Sequence, residues 1–372
     1  MRSLLLISLV WMGSASVLFG QNPKQTIRGT VLDKDIRLPL VGATVLLLNT
    51  DPVKGSTTDE NGDFRIEDLE VGRYDLQVSY LGYETTHIFQ LLVGSGKEVV
   101  LEIELAESVE SLKEVTVVAA DQDKGKPINE MAVVSARSFS VEETSRYAGS
   151  LNDPLRMAQA FAGVATSGGN YNEILIRGNA AKGLLWRIEG IEVPNPNHFA
   201  SGEGGSGGGV SILSNTVLAN SDFFTGAFPA EYGNALSGVF DIQLRRGNNE
   251  KREYAFQLGV LGVQAAIEGP FSAKSKASYL VNYRYSTLSL LNKFGFKVNQ
   301  ATVIPEYQDL TFNIVIPTSK AGRFTLFGVG GISEGTRFAE RDSSEWATLS
   351  DRFDDRQIHK VGVIGMTYTY LM

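Results

Sequence analysis

Tyr279-Leu280-Val281-Asn282-Tyr283-Arg284-Tyr285-Ser286 is the stretch whose reading decides the fold. Tyr279, Val281, Tyr283 and Tyr285 alternate with Leu280, Asn282, Arg284 and Ser286. That is the period of a strand with one aromatic, apolar face and one largely polar face. The pattern recurs on both sides. Tyr254, Phe256, Leu258 and Val260 alternate with Ala255, Gln257 and Gly259. Val263, Ala265 and Ile267 then run in the opposite phase, which places a turn at Leu261-Gly262. Leu310, Phe312, Ile314 and Ile316 alternate with Thr311 and Asn313, and further strands fit residues 323–330 and 360–370. Alternation with aromatic residues on one face is the pattern of a lipid-facing antiparallel barrel.

The connections argue the same way. Residues 269–276 and 317–322 are short links, whereas 287–308 and 332–359 are long. Short turns alternating with long loops are the outer-membrane pattern. The hairpin at Leu261-Gly262 is tighter than that rule expects. A barrel of one chain needs at least about 8 strands, and plugged transporters have about 22. The chain stops inside an alternating run, at Thr369-Tyr370-Leu371-Met372, so the expectation is an incomplete reading frame with the barrel begun but not closed.

Composition removes several function classes. The chain has 372 residues, 43% hydrophobic and 20% charged, enough for two or three folded domains and incompatible with wholesale disorder. The net charge of -8 argues against a general nucleic-acid binder, which needs a basic face. No Cys is present, so disulfides, thiolate nucleophiles and Cys-held metals are excluded. The three histidines, His87, His198 and His359, are far apart and begin no zinc-binding spacing. No cofactor is expected. A hydrolase reading has no Gly-x-Ser-x-Gly elbow to support it, and no enzyme activity is expected. Arg2, the apolar residues 4–10 and Gly20 before Gln21 read as a secretion signal over residues 1–20, with a permanent anchor as the alternative.

Upstream of the barrel, strand signals follow at short spacing over residues 24–106, at 26–32, 43–48, 63–66, 74–80, 84–91 and 98–105. Asn61-Gly62, between Thr57-Thr58 and Phe64, predicts a hairpin turn. The segment is expected to be a small immunoglobulin-like β-sandwich. Gly29-x-Val31, Pro39-x-x-Gly42-Ala43-x-Val45, Thr58-Asp59-x-x-Gly62-x-Phe64 and Gly72-x-Tyr74-x-Leu76-x-Val78 resemble the carboxypeptidase regulatory-like domain. The resemblance implies a fold and no peptidase chemistry, with a spacer role or a partner-binding role both open.

Residues 107–126 read as a hinge containing the β-prone run Val115-Thr116-Val117-Val118-Ala119-Ala120. That run suits strand addition to a partner's sheet edge, or is the first strand of the next domain. In residues 127–248, Asp153 is placed to cap a helix with Pro154 at its first position. Leu155, Ala158, Phe161 and Ala162 would form its apolar face and Gly163 its end. Strands are expected at 173–177, 184–191, 210–213 and 238–244. Glu189 and Glu192, read as one strand, would point to opposite faces and pair with Arg177 and Arg187. The Gly-rich stretch 202–209 satisfies a dinucleotide fingerprint literally, but no buried strand precedes it and no helix follows it, so that reading is rejected. It is a surface loop or a substrate-facing one, with His198, Phe199, Gly204 and Gly208 as the candidate facing residues.

Three blocks of this middle segment resemble the plug domain of TonB-dependent outer-membrane receptors. They are Ile176-Arg177-Gly178, the run from Arg187 through Glu189-Gly190 to Pro194, and the run from Phe224 through Gly226, Tyr232-Gly233 and Gly238 to Ile242. Glu189 stands where the family has Asp. With the regulatory-like domain in front, the order resembles the receptors of Bacteroidetes-type bacteria. The resemblance implies an α/β plug inside a barrel, mainly-β architecture overall, and a coupling segment at Glu114, Val115, Thr116, Val117 and Val118 that engages a TonB-type protein. It implies energised uptake of a small molecule, glycan or peptide nutrient through the outer membrane, contact with outer-membrane lipid, and a surface lipoprotein as a further partner. An outer-membrane-anchored adhesion scaffold using the sandwich is the alternative, and a signalling role stays open.

Overall fold

A computed structural model describes residues 23–108 and, with gaps, 127–370; the gaps of three residues or more are 140–143, 167–172, 201–207, 291–293, 295–302 and 319–321. The expected secretion signal and the coupling segment Glu114 to Val118 therefore lie outside the described residues. The chain divides into two compact units, residues 1–114 and 115–372, and is mainly β.

The first unit is a two-sheet sandwich. One sheet has the order β4 (Asp63–Glu70), β1 (Lys24–Asp33), β7 (Val99–Leu105). The other has the order β3 (Lys54–Thr57), β2 (Thr44–Leu47), β5 (Gly72–Ser79), β6 (Thr86–Val93). Alternate residues of each strand face inward, as the period requires. Ile27, Val31, Val45, Leu47, Phe64, Leu76, Val78 and Ile103 make a fully apolar core. Gly29 sits between Ile27 and Val31 because a Cβ there would lie 2.2 Å from the Leu101 carbonyl oxygen of the parallel neighbour β7. Asn61-Gly62 does form a tight turn, with the Gly62 N–H bonded to the Asp59 carbonyl at 2.9 Å. It is not a hairpin, because β3 pairs with β2 and β4 pairs with β1, so the chain crosses between sheets there. Tyr83 donates to Asp33 at 2.6 Å, which holds the Asp33 carboxyl below the usual carboxylate range.

The second unit opens with a five-stranded sheet ordered β12 (Ile191–Val193), β11 (Leu184–Ile188), β16 (Gly238–Ile242), β15 (Ser221–Phe224), β8 (Ala136–Phe139). Two small ladders accompany it: β9 (Val164–Thr166) with β10 (Ile174–Ile176), and β13 (Asn197–His198) with β14 (Val210–Ser211). The expected helix is present as a single short element, α1 (Pro154–Ala158), capped by the Asp153 carboxylate. Leu155, Met157, Ala158 and Phe161 are buried, whereas Ala162 is exposed. Gly163 does not end the helix; at φ +80° it turns the chain into β9.

Next come six antiparallel strands in nearest-neighbour order: β17 (Glu253–Leu258), β18 (Val263–Pro270), β19 (Ser278–Tyr285), β20 (Val303–Pro317), β21 (Gly322–Arg337) and β22 (Asp355–Tyr370). The later strands run longer than the sequence pattern indicated, because the ladder between β21 and β22 continues through polar residues such as Glu334 and Arg356. The two faces differ as the alternation predicts. Tyr254, Phe256, Leu258, Leu310, Ile316, Phe324, Ile364 and Met366 project from the outer face and are exposed. Gln264, Glu268, Leu280, Asn282, Arg284, Asp309, Thr311 and Asn313 are buried on the inner face. What buries them is the middle domain. Its core of Ile212, Leu213, Trp186, Ile188 and Phe240 is continuous with Leu280, Phe327 and Val329 of the sheet.

Candidate functional site at the seam between the middle domain and the sheet

Burying a row of polar side chains is costly unless each finds a partner. The seam shows how most of that cost is met. From the sequence upward, β13 and β14 form a two-residue ladder with Asn197 opposite Ser211 and His198 opposite Val210. Asp153 fixes this hairpin to the helix. One carboxylate oxygen accepts the Leu155 N–H at 2.9 Å and the other the Ser211 N–H at 3.0 Å. The hairpin then presents His198 to the sheet. His198 Nε2 lies 3.0 Å from Asp309 Oδ2, and Arg284 donates to the same oxygen from Nε at 2.9 Å and Nη2 at 2.8 Å. Arg284 Nη2 also donates to the Ser211 carbonyl. The Tyr307 ring lies against the imidazole, tilted by 37° at a centroid distance of 4.7 Å. Gly331 leaves room for this arrangement, since a Cβ there would stand 2.6 Å from His198 Cε1. Burial pushes the His198 pKa below its ordinary value, with Asp309 opposing the shift.

Further along the seam, Ser214 donates to Gln264 at 2.9 Å and Thr216 to Asn282 at 3.1 Å. Arg245 forms a bidentate pair with Glu268 at 2.6 and 2.7 Å, the strongest geometry available to a guanidinium and a carboxylate. Asn313 Nδ2 donates to the Arg245 carbonyl at 3.1 Å. Phe199 N–H donates to Ser333 at 3.1 Å. Buried atoms of the sheet's inner face that have no hydrogen-bond partner among the described residues include Tyr307 Oη, Asp309 Oδ1 and Thr311 Oγ1.

The residues of the three resemblance blocks gather elsewhere, inside the middle domain, at turns and packing contacts. Arg177 follows β10, and its guanidinium reaches Ser135 Oγ at 2.7 Å and lies over Gly226, where a Cβ would stand 3.3 Å from Nη1. Gly178 completes that turn at φ +80°. Glu189 and Gly190, at φ +51° and +78°, are the two-residue turn of the hairpin between β11 and β12. Such a turn needs positive φ at both positions. Glu189 and Glu192 are therefore not on one strand, and the expected pairing with Arg177 and Arg187 is not what forms. The Glu189 carboxylate accepts the Leu244 N–H at 2.6 Å, and burial raises its pKa. Arg187 pairs with Glu231 at 3.1 Å and covers the Tyr232 ring. Tyr232 donates to Asp241 at 2.7 Å. Gly238 is required by close packing, because a Cβ would meet Ile176 Cδ1 at 2.1 Å and the Phe224 carbonyl oxygen at 2.8 Å. At Gly233 a Cβ would meet nothing within 4 Å, so sterics do not explain that glycine.

The structure corrects the reading of His198 as a substrate-facing group. It is 1% exposed and committed to Asp309. Gly208 is also buried, against the His198 carbonyl and Asn197, and Phe199 is half-buried. Gly204 lies outside the described residues. The sequence reading did not single out Asp309, Tyr307, Arg245 or Glu268 as site residues. The signal was available for Glu268, Tyr307 and Asp309, which are polar groups in phase with the polar face, but not for Arg245, which follows β16 in the middle domain. Among the described residues no three His, Asp or Glu side chains converge on a metal, and no helix is long and apolar enough to cross a membrane.

Comparison with known proteins adds the following. Residues 26–106 match the model of the carboxypeptidase regulatory-like domain. No curated protein matches the chain. Among solved structures, the outer membrane transporter YddB of Escherichia coli is 13% identical over 55% of this chain and 34% of its own, with a TM-score of 0.39. A mutant of the ferric enterobactin receptor PfeA of Pseudomonas aeruginosa is 17% identical over 55% of this chain and 33% of its own, with a TM-score of 0.36. The matched region thus spans about a third of each transporter's length. A cohesin–X-dockerin complex of Acetivibrio cellulolyticus is 24% identical over 22% of this chain and 56% of its own, with a TM-score of 0.19.

Proposed function

We propose that this chain belongs to a TonB-dependent outer-membrane receptor that imports a nutrient by energised transport and catalyses no reaction. In this reading the middle domain is the plug, β17–β22 are one arc of a barrel wall, and the outer face of that arc meets lipid. The observation that carries the proposal is the seam. A small domain sits on the inner face of a sheet through charge pairs and hydrogen bonds, while the opposite face of the same strands is an exposed apolar surface. Lipid outside and a polar lumen inside ask for that division, strand by strand. Closed barrels leave no strand edge in the bilayer, so β17 and β22 would each pair with further strands.

Substrate would bind at the end carrying the long connections 286–302 and 338–354. A TonB-type protein would engage the segment Glu114 to Val118 from the periplasm, where the sandwich would also lie. The substrate class is a siderophore, glycan, peptide or cobalamin-like compound. Bacteroidetes-type domain order favours a surface lipoprotein as an added partner.

The test is deletion of residues 112–119 in cells expressing the receptor, with a panel of iron-loaded siderophores, oligosaccharides, peptides and cobalamin as probes. Uptake of the active probe should vanish while its binding at the cell surface persists. Uptake that survives the deletion overturns energised transport. Surface adhesion with no uptake in either form favours the scaffold reading instead.

A further inference from the structure

The first described residues after the hinge, 127–129, are held by side chains from far along the chain. Asp222 on β15 accepts two consecutive backbone N–H groups, Ile128 to Oδ1 at 2.9 Å and Asn129 to Oδ2 at 2.8 Å. The Asn129 side chain adds two more links. Its Nδ2 donates to Glu231 at 2.6 Å and to the Tyr232 hydroxyl at 3.1 Å. Tyr232 is held in turn by Asp241, and Glu231 by Arg187. Six residues after Asn129 comes Ser135, whose carbonyl accepts the Thr225 N–H at 2.8 Å, and then β8, which among the described residues is the edge strand and pairs with β15.

We propose that Asp222 and Asn129 form a releasable clasp that ties the start of the middle domain to its sheet and opens before β8 and the rest of the domain. The proposal rests on the transport reading, because it names the contact that would first take load from a pulled hinge. Three observations make the clasp separable. It is made of hydrogen bonds to backbone N–H groups and one amide side chain, and Ile128 is already exposed, so opening it exposes little further hydrophobic area. Its carboxylate is 4% exposed, and burial holds the pKa above the usual carboxylate range, so the charged form regains hydration when the clasp opens. The register also sets Asp222 directly opposite Asp241 across β15 and β16, a pair that stays in place when 127–129 leaves but that water entering the opened clasp would screen.

The four links are also specific. A carboxylate that accepts two successive N–H groups fixes both the position and the direction of the chain. Asn in place of Asp222 keeps the shape but offers one acceptor oxygen, and turns an NH2 toward the second amide.

Hydrogen exchange on the full chain, reconstituted in lipid or detergent, tests this with Asp222→Asn and Asn129→Ala. Each variant should speed exchange in the segment 127–132 by about tenfold or more, as expected for losing a charge-assisted or doubly used link. The amides of β8 and β16 should change less than about threefold if the clasp opens separately from them. Unchanged exchange at 127–132 in both variants overturns the clasp. So does acceleration of β8 and β16 in step with 127–132 in both variants, since the clasp would then be part of one cooperative unit. Asn129→Ala leaves β15 untouched and decides the matter should Asp222→Asn disturb the sheet itself. Exchange is read without any transport. A chain that imports nothing can therefore still carry the clasp, and loss of the clasp leaves the uptake experiment standing.

Discussion

In the N-terminal sandwich, Ile27, Val45, Leu76 and Val78 are buried among other apolar side chains. Along the seam of the second unit, His198, Arg284 and Asp309 are buried in one polar group, and buried Glu268 is paired with half-buried Arg245 in another. Both regions exclude water from strand faces, but they do so by different chemistry. The sandwich core gains from every area of apolar surface it hides, and the buried polar groups of that unit, such as Arg28 with Glu98 at 3.1 Å, lie outside its apolar cluster. The seam gives up much of that gain, because its groups exchange water partners for protein partners at a modest net return. It also leaves Tyr307 Oη, Asp309 Oδ1 and Thr311 Oγ1 without partners among the described residues. A core of the first kind is suited to staying shut. A surface of the second kind is specific in register yet less costly to part, which would suit a domain that moves against the sheet, as the proposed function asks.

The contrast can be broken most forcefully at Asp309. Replacing it by Ala leaves Arg284 buried without its carboxylate and removes the partner of His198. Breaking a buried pair from one side costs about 3–5 kcal/mol, more than the pair itself contributes. Amides in residues 208–218 should then exchange roughly a hundredfold faster or more, with the sandwich amides unaffected. An unchanged pattern would mean that the seam is held by its apolar patch around Leu280 and Phe327, and that the polar contacts are incidental. The matching change in the sandwich is Leu76→Ala. Leu76 is fully buried, so the loss is about 2–5 kcal/mol from transfer and cavity together. Denaturant unfolding should show it in the transition of the first unit alone, with the seam's exchange pattern retained. Equal sensitivity of both regions to both substitutions would remove the distinction.

How much of this was legible in the sequence follows from the same physics. The six strands were legible because Tyr279 to Ser286 and its neighbours alternate with period two, and both faces of each strand have a definite chemistry. Their ends were not, since β21 and β22 continue as a ladder through polar residues that carry no alternation. Asn61-Gly62 showed a turn but not its partners, because a turn motif does not say which sheet receives the next strand. Glu189-Gly190 was read as the middle of one strand, although Gly at the second position of a positive-φ pair is the hairpin signal. His198 was read as facing a ligand because it adjoins a Gly-rich loop. Nothing local indicated Asp309, 111 positions later, as its partner. The strands of the site were visible in the pattern of each segment, whereas the pairing across the seam exists only after the middle domain and the sheet meet.

The finest probe of the contrast is His198 itself. Its folded pKa lies below the ordinary value because burial disfavours the charged ring more than Asp309 favours it. The other charged group facing it, Arg284, adds to the lowering, and Tyr307 covers the ring. The unfolded or unseated state therefore binds a proton more readily than the seated one. Seating should be undiminished above the ordinary His value near 6.5 and should weaken as pH falls from there toward the lowered folded pKa. His198→Gln keeps a donor toward Asp309 and removes the titration. The difference in seating between the native chain and His198→Gln should be under about 1 kcal/mol at pH 7.5. It should shift in favour of the variant as pH falls below about 6.5. A thermal or exchange series from pH 7.5 to 5 reads it directly. A difference that stays flat across that range would place the proton affinity of His198 with that of an ordinary exposed imidazole, and would mean that the imidazole reaches water in the seated state. A slope confined to the seam amides, with the sandwich amides flat, is the expected signature of a polar contact set against an apolar core.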